Sequence, residues 1–370
     1  MRGRLLLFAT RALSAYCDEV EAALRRQHPD ASDLRGALSV ATFADGEMEV
    51  ELGTSVRGRD VFLFAGSARN SLGLPAPECK LETYHAVDAL RRAQAGRISL
   101  FEPYCAPGRS DRPTRRNSVG LWMHFKTLVE LGVDHYLTFQ LHSEKSRTFI
   151  DPARCAVDDL PAHALLQEYL CDTAIGTVER LQSEVRRHWF FCSVDAGGET
   201  IAKRFAASFG TRIVIAHKQR DYSAPDTVES INLLSSAPIE GTVVWIVDDM
   251  ISTAGSVYPL VRELATHRPA EINIATVHPV FSQPALDRLG ELCDRGLVRT
   301  ILATDTVSCT DEIRRRLPCL RVVPTVGYSS DVVHRLNAEQ PLSSLLAPFD
   351  AQRHLEGRSE PSRPGDQRTR

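Results

Sequence analysis

The stretch Val243–Leu264, V-V-W-I-V-D-D-M-I-S-T-A-G-S-V-Y-P-L-V-R-E-L, limits the possible folds more than any other part of the chain. Its first half is a run of apolar and β-branched residues, the pattern of a strand buried on both faces of a parallel sheet. The run stops at two adjacent carboxylates, Asp248 and Asp249, and then reaches the small-residue turn Thr253-Ala254-Gly255-Ser256. Beyond the turn, Val257, Leu260, Val261 and Leu264 recur at helical spacing. Small residues let the backbone curl until successive N–H groups point at one spot, and a helix N-terminus adds positive potential there. The result is a phosphate cradle. Thr253 and Ser256 supply hydroxyl donors. The two acids repel a phosphate, so they serve another part of the same ligand: the hydroxyls of a ribose, or a Mg²⁺ ion held through water. A phosphorylated sugar satisfies both halves. No Gly-Lys-Ser/Thr follows the glycine, so this is not a Walker loop.

Around this unit, apolar strands alternate with amphipathic helices. In the first half the pattern predicts strands over Leu5–Ala9, Leu38–Phe43, Glu47–Leu52, Val61–Phe64, Ile98–Phe101 and His135–Leu141. The second and third of these meet at the Asp45-Gly46 hairpin signal. Helices are expected over Ser14–Gln27, Cys79–Gln94 and a segment from Trp122 to Leu131 that Gly132 ends. In the second half, helix His163–Tyr169 leads through a linker to strand Trp189–Val194, helix Thr200–Phe209 and strand Arg212–Ala216. An irregular polar stretch, His217–Ser230, then precedes the cradle. Strands Ile272–Val277, Thr300–Thr304 and Leu320–Val323 follow, with helices near Pro284–Asp294 and Ser330–Asn337. The fold class expected is α/β: two similar domains, each with a parallel-type sheet flanked by helices. Their spans are 1–160 and 161–319, with a strand and helix over 320–350 returning to the first domain. Residues 351–370, rich in Arg, Glu, Ser and Pro, are expected to be a disordered tail. In such sheets ligands sit beyond the carboxyl ends of the strands.

Four further clusters follow predicted strands. Phe43, Asp45 and Glu47 put a ring beside acceptors on a tight turn, suited to stacking on a nucleobase and accepting from its amine. Arg109, Ser110, Asp111 and Arg112 form a mixed-charge loop after Ile98–Phe101, and arginine forks match polyphosphate oxygens. His142 and Asp195 end strands in different halves, where they can share the water shell of one metal ion. Lys218 and Arg220 open the polar stretch after Arg212–Ala216, where two cations could close over negative charge developing in phosphoryl transfer.

Taken in order, these motifs resemble the ribose-phosphate pyrophosphokinase (phosphoribosyl-diphosphate synthetase) family from about residue 38 to residue 345. The cradle is similar to the family's phosphoribosyl-diphosphate loop, Phe43–Glu47 to its adenine-contacting turn, and Arg109–Arg112 to its Arg-Gln-Asp-Arg nucleotide motif. Leu141-His142, Asp195–Gly198 and Lys218–Arg220 fall where the family has a metal-site histidine, a metal-site aspartate and catalytic-loop cations. The resemblance implies phosphoribosyltransferase-like domains and transfer of diphosphate from ATP to ribose 5-phosphate. ATP contacts would fall to Phe43, Asp45, Glu47, Arg109–Arg112 and His142. Ribose 5-phosphate contacts would fall to Asp248, Asp249 and Ser252–Ser256. Mg²⁺ would lie near His142 and Asp195, with Lys218 and Arg220 catalytic. It also implies a homo-oligomer, a dimer or hexamer. The chain departs from the family pattern at Ser252 (an acid), Ser110 (glutamine), Pro107 (tyrosine), Gln140 (aspartate) and Gln219 (arginine). Two alternatives are a non-catalytic homologue that regulates a true synthetase, and a phosphoribosyltransferase.

Composition narrows the partners. With 44 Lys and Arg against 47 Asp and Glu, the chain as a whole is no polyanion binder, and nucleic acid is not expected. Nine cysteines contain no C-x-x-C pair, which argues for reduced thiols rather than zinc or a disulfide framework. No apolar run approaches the ~20 residues of a membrane span. A cytoplasmic protein is the expectation.

Overall fold

The computed structural model describes residues 3–27, 33–195, 197–220 and 228–359. The first sheet is built from β1 (Leu5–Ala9), β4 (Asp60–Phe64), β5 (Arg97–Glu102), β6 (His135–Phe139) and β7 (Ala156–Leu160), in that spatial order. All of its pairings are parallel. Strand β4 is buried at every residue, as its apolar run Val61–Phe64 requires of a strand covered on both faces. Phe64, Phe101 and Phe139 form a row across three strands, with ring centroids 5.2 and 5.5 Å apart. Helices α1 (Ser14–Gln27), α2 (Ala76–Arg92) and α3 (Gly120–Leu131) cover the faces. Gly132, at φ 102°, ends α3 in the left-handed conformation that glycine adopts without strain. The hairpin of β2 (Leu38–Thr42) and β3 (Met48–Leu52) is a separate two-stranded sheet.

The second sheet runs β10-β9-β8-β11-β12-β13-β14. Its members are β8 (Trp189–Ser193), β9 (Arg212–Arg220), β10 (Val228–Ser235), β11 (Val243–Met250), β12 (Glu271–His278), β13 (Thr300–Thr304) and β14 (Leu320–Val323). Only β10 is antiparallel, at the edge beside β9. Helices α4 (His163–Leu170), α5 (Glu199–Phe209), α6 (Val257–Thr266), α7 (Ala285–Asp294), α8 (Asp311–Arg316), α9 (Val326–Asn337) and α10 (Ala351–Ser359) complete the fold.

Several expectations are corrected. The first sheet does not end with the strand at His135 but continues to β7, whose Asp158 and Asp159 hide its half-apolar pattern. The linker before Trp189 is helical, and it buries Cys171, Ile175, Leu181 and Val185. The polar stretch after Ala216 is in strand at both ends, because β9 and β10 pair along it. Strand β14 stays in the second sheet, and it is α9 that returns to the first domain. There Tyr16 Oη lies 2.7 Å from both Thr325 Oγ1 and Ser329 Oγ, and Asn337 donates to Asp60. Residues 351–359 are helical rather than disordered, since Ala351 and Leu355 bury completely enough to anchor them. The remainder of the expected tail lies outside the described residues. Cys293 and Cys319 form a disulfide, contrary to the expectation of reduced thiols throughout.

Candidate active site

The cradle strand β11 lies mid-sheet, in parallel register with β8 and β12. Its pairing extends through both acids, with Asp248 opposite Thr276 and Met250 opposite His278. The acids thus sit at the carboxyl edge, where parallel sheets present ligand sites. The Asp249 N–H donates to Asp248 Oδ1 at 3.0 Å. The chain then turns: the Ile251 N–H donates to the His278 carbonyl at 3.0 Å, and the Phe281 N–H to that of Ile251 at 2.8 Å. Ser252 is half-buried, Thr253 and Gly255 are exposed, and Ala254 is buried at φ 56°. Ser256 opens α6 without a side-chain capping bond, and α6 buries Val257, Leu260, Val261 and Leu264 as their spacing predicts.

A bond between domains completes the acidic end. His142, three residues beyond β6, donates from Nδ1 to Asp249 Oδ2 at 2.7 Å. This bond raises the imidazole pKa above its usual value, against the opposing effect of burial. Burial works to raise the Asp249 pKa, but the bond and charge of His142 outweigh it and hold that carboxyl low. Asp248 has no such partner. Burial, followed by the charges of Asp249 and Asp195, pushes its carboxyl well above the usual range. Asp195 itself accepts the Gly198 N–H at 3.1 Å. Three carboxyl groups therefore share one region with one imidazole, a donor set that suits a hard cation with oxygen ligands. His142 and Asp195 do not belong, among the described residues, to a trio of His, Cys, Asp or Glu side chains that presents its ligand atoms to one ion. Among the described residues the group that does is Glu168, Asp172 and His354, on α4, the helical stretch after it and α10.

The remaining candidates divide. Arg109 and Asp111 lie close enough to His142 for their charges to act on it in opposite directions, which places the mixed-charge loop beside the acids. Ser110 is used structurally, its Oγ accepting the Gly120 N–H at 2.9 Å at the start of α3. Arg112 is exposed. Phe43, Asp45 and Glu47 lie at the tip of the β2–β3 hairpin, where Asp45 Oδ1 accepts the Glu47 N–H at 3.1 Å and Phe43 is 50% exposed. Among the described residues no hydrogen bond, ion pair or ring contact joins this tip to His142 or the cradle within one subunit. Lys218 and Arg220 are in β9 by backbone; their side chains lie outside the described residues.

Three residues at the site were not picked out as site residues from sequence. His278 ends β12, donates from Nε2 to the Gln140 carbonyl at 3.0 Å, and lies 2.9 Å from Thr306 Oγ1. Burial lowers its pKa. The Tyr104 ring lies 4.8 Å from that of His278, and burial pushes its hydroxyl up to about 12. Arg288 donates from Nη1 to the Thr253 carbonyl at 3.0 Å. The signal for His278 was available: a polar residue closing an apolar strand next to the cradle strand.

Parallel sheets bearing a strand–turn–helix phosphate cradle define a phosphoribosyl-binding α/β protein. A family model for the phosphoribosyl transferase domain matches residues 174–291, and one for the N-terminal domain of ribose phosphate pyrophosphokinase matches residues 6–132. Ribose-phosphate pyrophosphokinase 1 of Streptococcus pneumoniae is 30% identical over 321 residues, 86% of this chain and 91% of the relative. The Gloeobacter violaceus ribose-phosphate pyrophosphokinase is 29% identical over 84% of this chain and 86% of its own. The crystal structure of phosphoribosylpyrophosphate synthetase from Mycobacterium smegmatis superposes with a TM-score of 0.76 at 25% identity, covering 91% of this chain and 99% of that one. The chain belongs to the ribose-phosphate pyrophosphokinase family.

Proposed function

We propose that the chain transfers the diphosphate of ATP to the C1 hydroxyl of ribose 5-phosphate, giving phosphoribosyl diphosphate and AMP. The observation that carries this reading is the 2.7 Å bond from His142 of the first domain to Asp249 of the second, one strand end away from the proposed sugar-phosphate cradle. The anomeric oxygen bonds to the β-phosphorus, the bond from that phosphorus to the oxygen bridging it to the α-phosphate breaks so that AMP leaves with that oxygen, and the hydroxyl proton is released.

Each group has a part in that step. The cradle N–H groups with Thr253 and Ser256 bind the 5-phosphate. Asp249, ionised and steadied by His142, accepts from the ribose hydroxyls; Asp248 and Ser252 complete that hydrogen-bonding set. Arg109 and Arg112 orient the triphosphate, with Ser110 and Asp111 shaping their loop. Phe43, Asp45 and Glu47 would complete an adenine site in a neighbouring subunit, which makes the active form a homo-oligomer, a dimer or hexamer. Lys218 and Arg220 oppose the charge that builds on the transferring group. Mg²⁺, held by water near His142 and Asp195, would neutralise phosphate oxygens. No helix among the described residues is long and apolar enough to cross a membrane, and a cytoplasmic setting without nucleic-acid partners fits the balanced charge.

Purified protein incubated with ATP, Mg²⁺ and ribose 5-phosphate should form AMP and phosphoribosyl diphosphate in equal amounts. Lys218→Ala and Arg220→Ala should each lower kcat by about 10²-fold or more with smaller effects on KM, because their contact strengthens in the transition state. Absence of product, with complex formation alongside an active synthetase, would favour the regulatory alternative.

A further inference from the structure

The cradle turn holds a residue in a conformation its type disfavours. Ala254 stands at φ 56°, the left-handed region in which the Cβ of an L-residue crowds the following carbonyl. Such a residue persists where its surroundings over-determine it. One determinant lies within the turn: the Tyr258 N–H donates to the Ala254 carbonyl at 3.0 Å, which fixes the peptide after Ala254. The peptide before it is fixed from outside. Arg288 reaches from α7 and donates from Nη1 to the Thr253 carbonyl at 3.0 Å. A Cβ built on Gly255 would lie 3.5 Å from the same nitrogen, so the guanidinium lies against the turn itself.

In a planar trans peptide the C=O and N–H point in opposite directions. Drawing the Thr253 carbonyl toward Arg288 therefore turns the Ala254 N–H to the other side of the chain. Arg288 is carried on a firmly seated helix. Leu286, Leu289 and Leu292 are buried beneath it, Glu291 accepts from Tyr258 Oη of α6 at 2.7 Å, and Cys293 at its end is tied to Cys319. Among the described residues no carboxylate pairs with Arg288, so its charge is available at the cradle.

We infer that Arg288 is a positioning residue for the sugar phosphate: it locks the Thr253–Ala254 peptide so that the Ala254 N–H is presented to the 5-phosphate, and it leaves a positive charge beside that site. The inference rests on the cradle being the sugar-phosphate site. Preorganised donors bind an anion without reorganising as it arrives, so losing the lock should appear in ribose 5-phosphate affinity rather than in folding or ATP binding.

The test is calorimetric titration of ribose 5-phosphate and, separately, of ATP. Arg288→Ala should weaken ribose 5-phosphate about tenfold, the size of one lost hydrogen bond to a charged group at an exposed site, with ATP affinity and melting temperature unchanged. Arg288→Lys should recover part of the loss. Ala254→Gly in the Arg288→Ala background should also recover part, since glycine enters the left-handed region unaided. If that double variant recovers nothing, Arg288 acts by charge alone and the positioning role is overturned. Asp249→Asn, run in parallel, separates the two readings. If it weakens ribose 5-phosphate and Arg288→Ala does not, this inference alone falls. If neither changes the affinity, the cradle assignment falls and takes this inference with it.

Discussion

Replacing Asp248 by asparagine should make the ligand-free protein more stable while removing its activity. Asp248 is half-buried at the end of β11, and burial together with Asp249 and Asp195 holds its carboxyl well above the usual range. Its Oδ1 accepts the Asp249 N–H at 3.0 Å, and an amide oxygen keeps that bond. The substitution thus deletes a charge and leaves shape and hydrogen bonding in place. The sign follows from linkage. An acid whose folded pKa exceeds its unfolded one binds its proton more tightly in the native state, so it withdraws stability as pH rises through the window between the two. Asparagine has no such window. Relief of one uncompensated buried charge is worth about 1–2 kcal/mol, or roughly 2–8 °C in Tm. Melts at pH 7.5 with a chelator should therefore show the variant above wild type. Added Mg²⁺ should raise wild type more than the variant, because the cation relieves a repulsion the variant no longer has. Turnover should fall steeply in the same preparation. An Asp248→Asn protein that melts at or below wild type in chelator would refute the claim that this acid lacks a cationic partner in the ligand-free protein.

Two further outcomes follow from buried groups away from the acids. Burial lowers the His163 pKa to about 4, so this neutral histidine contributes stability that is full above its ordinary value of 6.5 and lost as pH falls toward 4, on the order of 3 kcal/mol at 1.36 kcal/mol per unit. Asp159 nearby is raised to about 6 and withdraws stability as pH rises from 3.8 to 6. The two slopes oppose each other, so His163→Gln should expose a fall in Tm with rising pH between 4.5 and 6 that wild type lacks; parallel pH profiles for the two proteins would contradict this. Arg69 reaches from the first domain to the carbonyls of Val280, Pro279 and Ser308 at 2.6, 2.9 and 3.2 Å. Arg69→Met should cost roughly 2 kcal/mol by leaving these acceptors unpaired, measured by denaturant unfolding, and an unchanged midpoint would count against the clamp.

The cradle was legible because three periodicities meet there. A double-sided apolar strand, a small-residue turn and an amphipathic helix leave one way to fold locally, and α6 buries the four residues that spacing picks out. Strand β7 was not legible, because Asp158 and Asp159 interrupt it and each is used by a partner distant in sequence: His135 Nε2 lies 2.8 Å from Asp158, and the Leu141 N–H donates to Asp159. Helix α10 was missed for a related reason. Its two anchors, Ala351 and Leu355, are too few to stand out among polar residues, and the surface that receives them comes from elements nearly two hundred positions earlier. His278 and Arg288 act through backbone carbonyls of other segments, and local sequence carries no record of which carbonyl a side chain will meet.

The departures from the family pattern also take on meaning only in three dimensions. Gln140, where an aspartate is expected, stands at φ 41° with its Oε1 accepting from His163 Nδ1 at 2.7 Å and its carbonyl accepting from His278 Nε2. A neutral amide suits a histidine that burial keeps neutral; an aspartate here would pull a proton onto His163 and place a charge pair where solvation is weak. The residue pins the turn that carries His142 without any net charge. Ser110, where a glutamine is expected, spends its hydroxyl on the start of α3, so the loop that orients Arg109 and Asp111 is held by its own helix. In both places the substituted residue has a partner of matching charge and hydrogen-bonding character. Erosion of a disused site would leave the opposite record, with unpartnered groups where the pattern is broken. Compensation of this kind favours an enzyme that still turns over against a non-catalytic homologue.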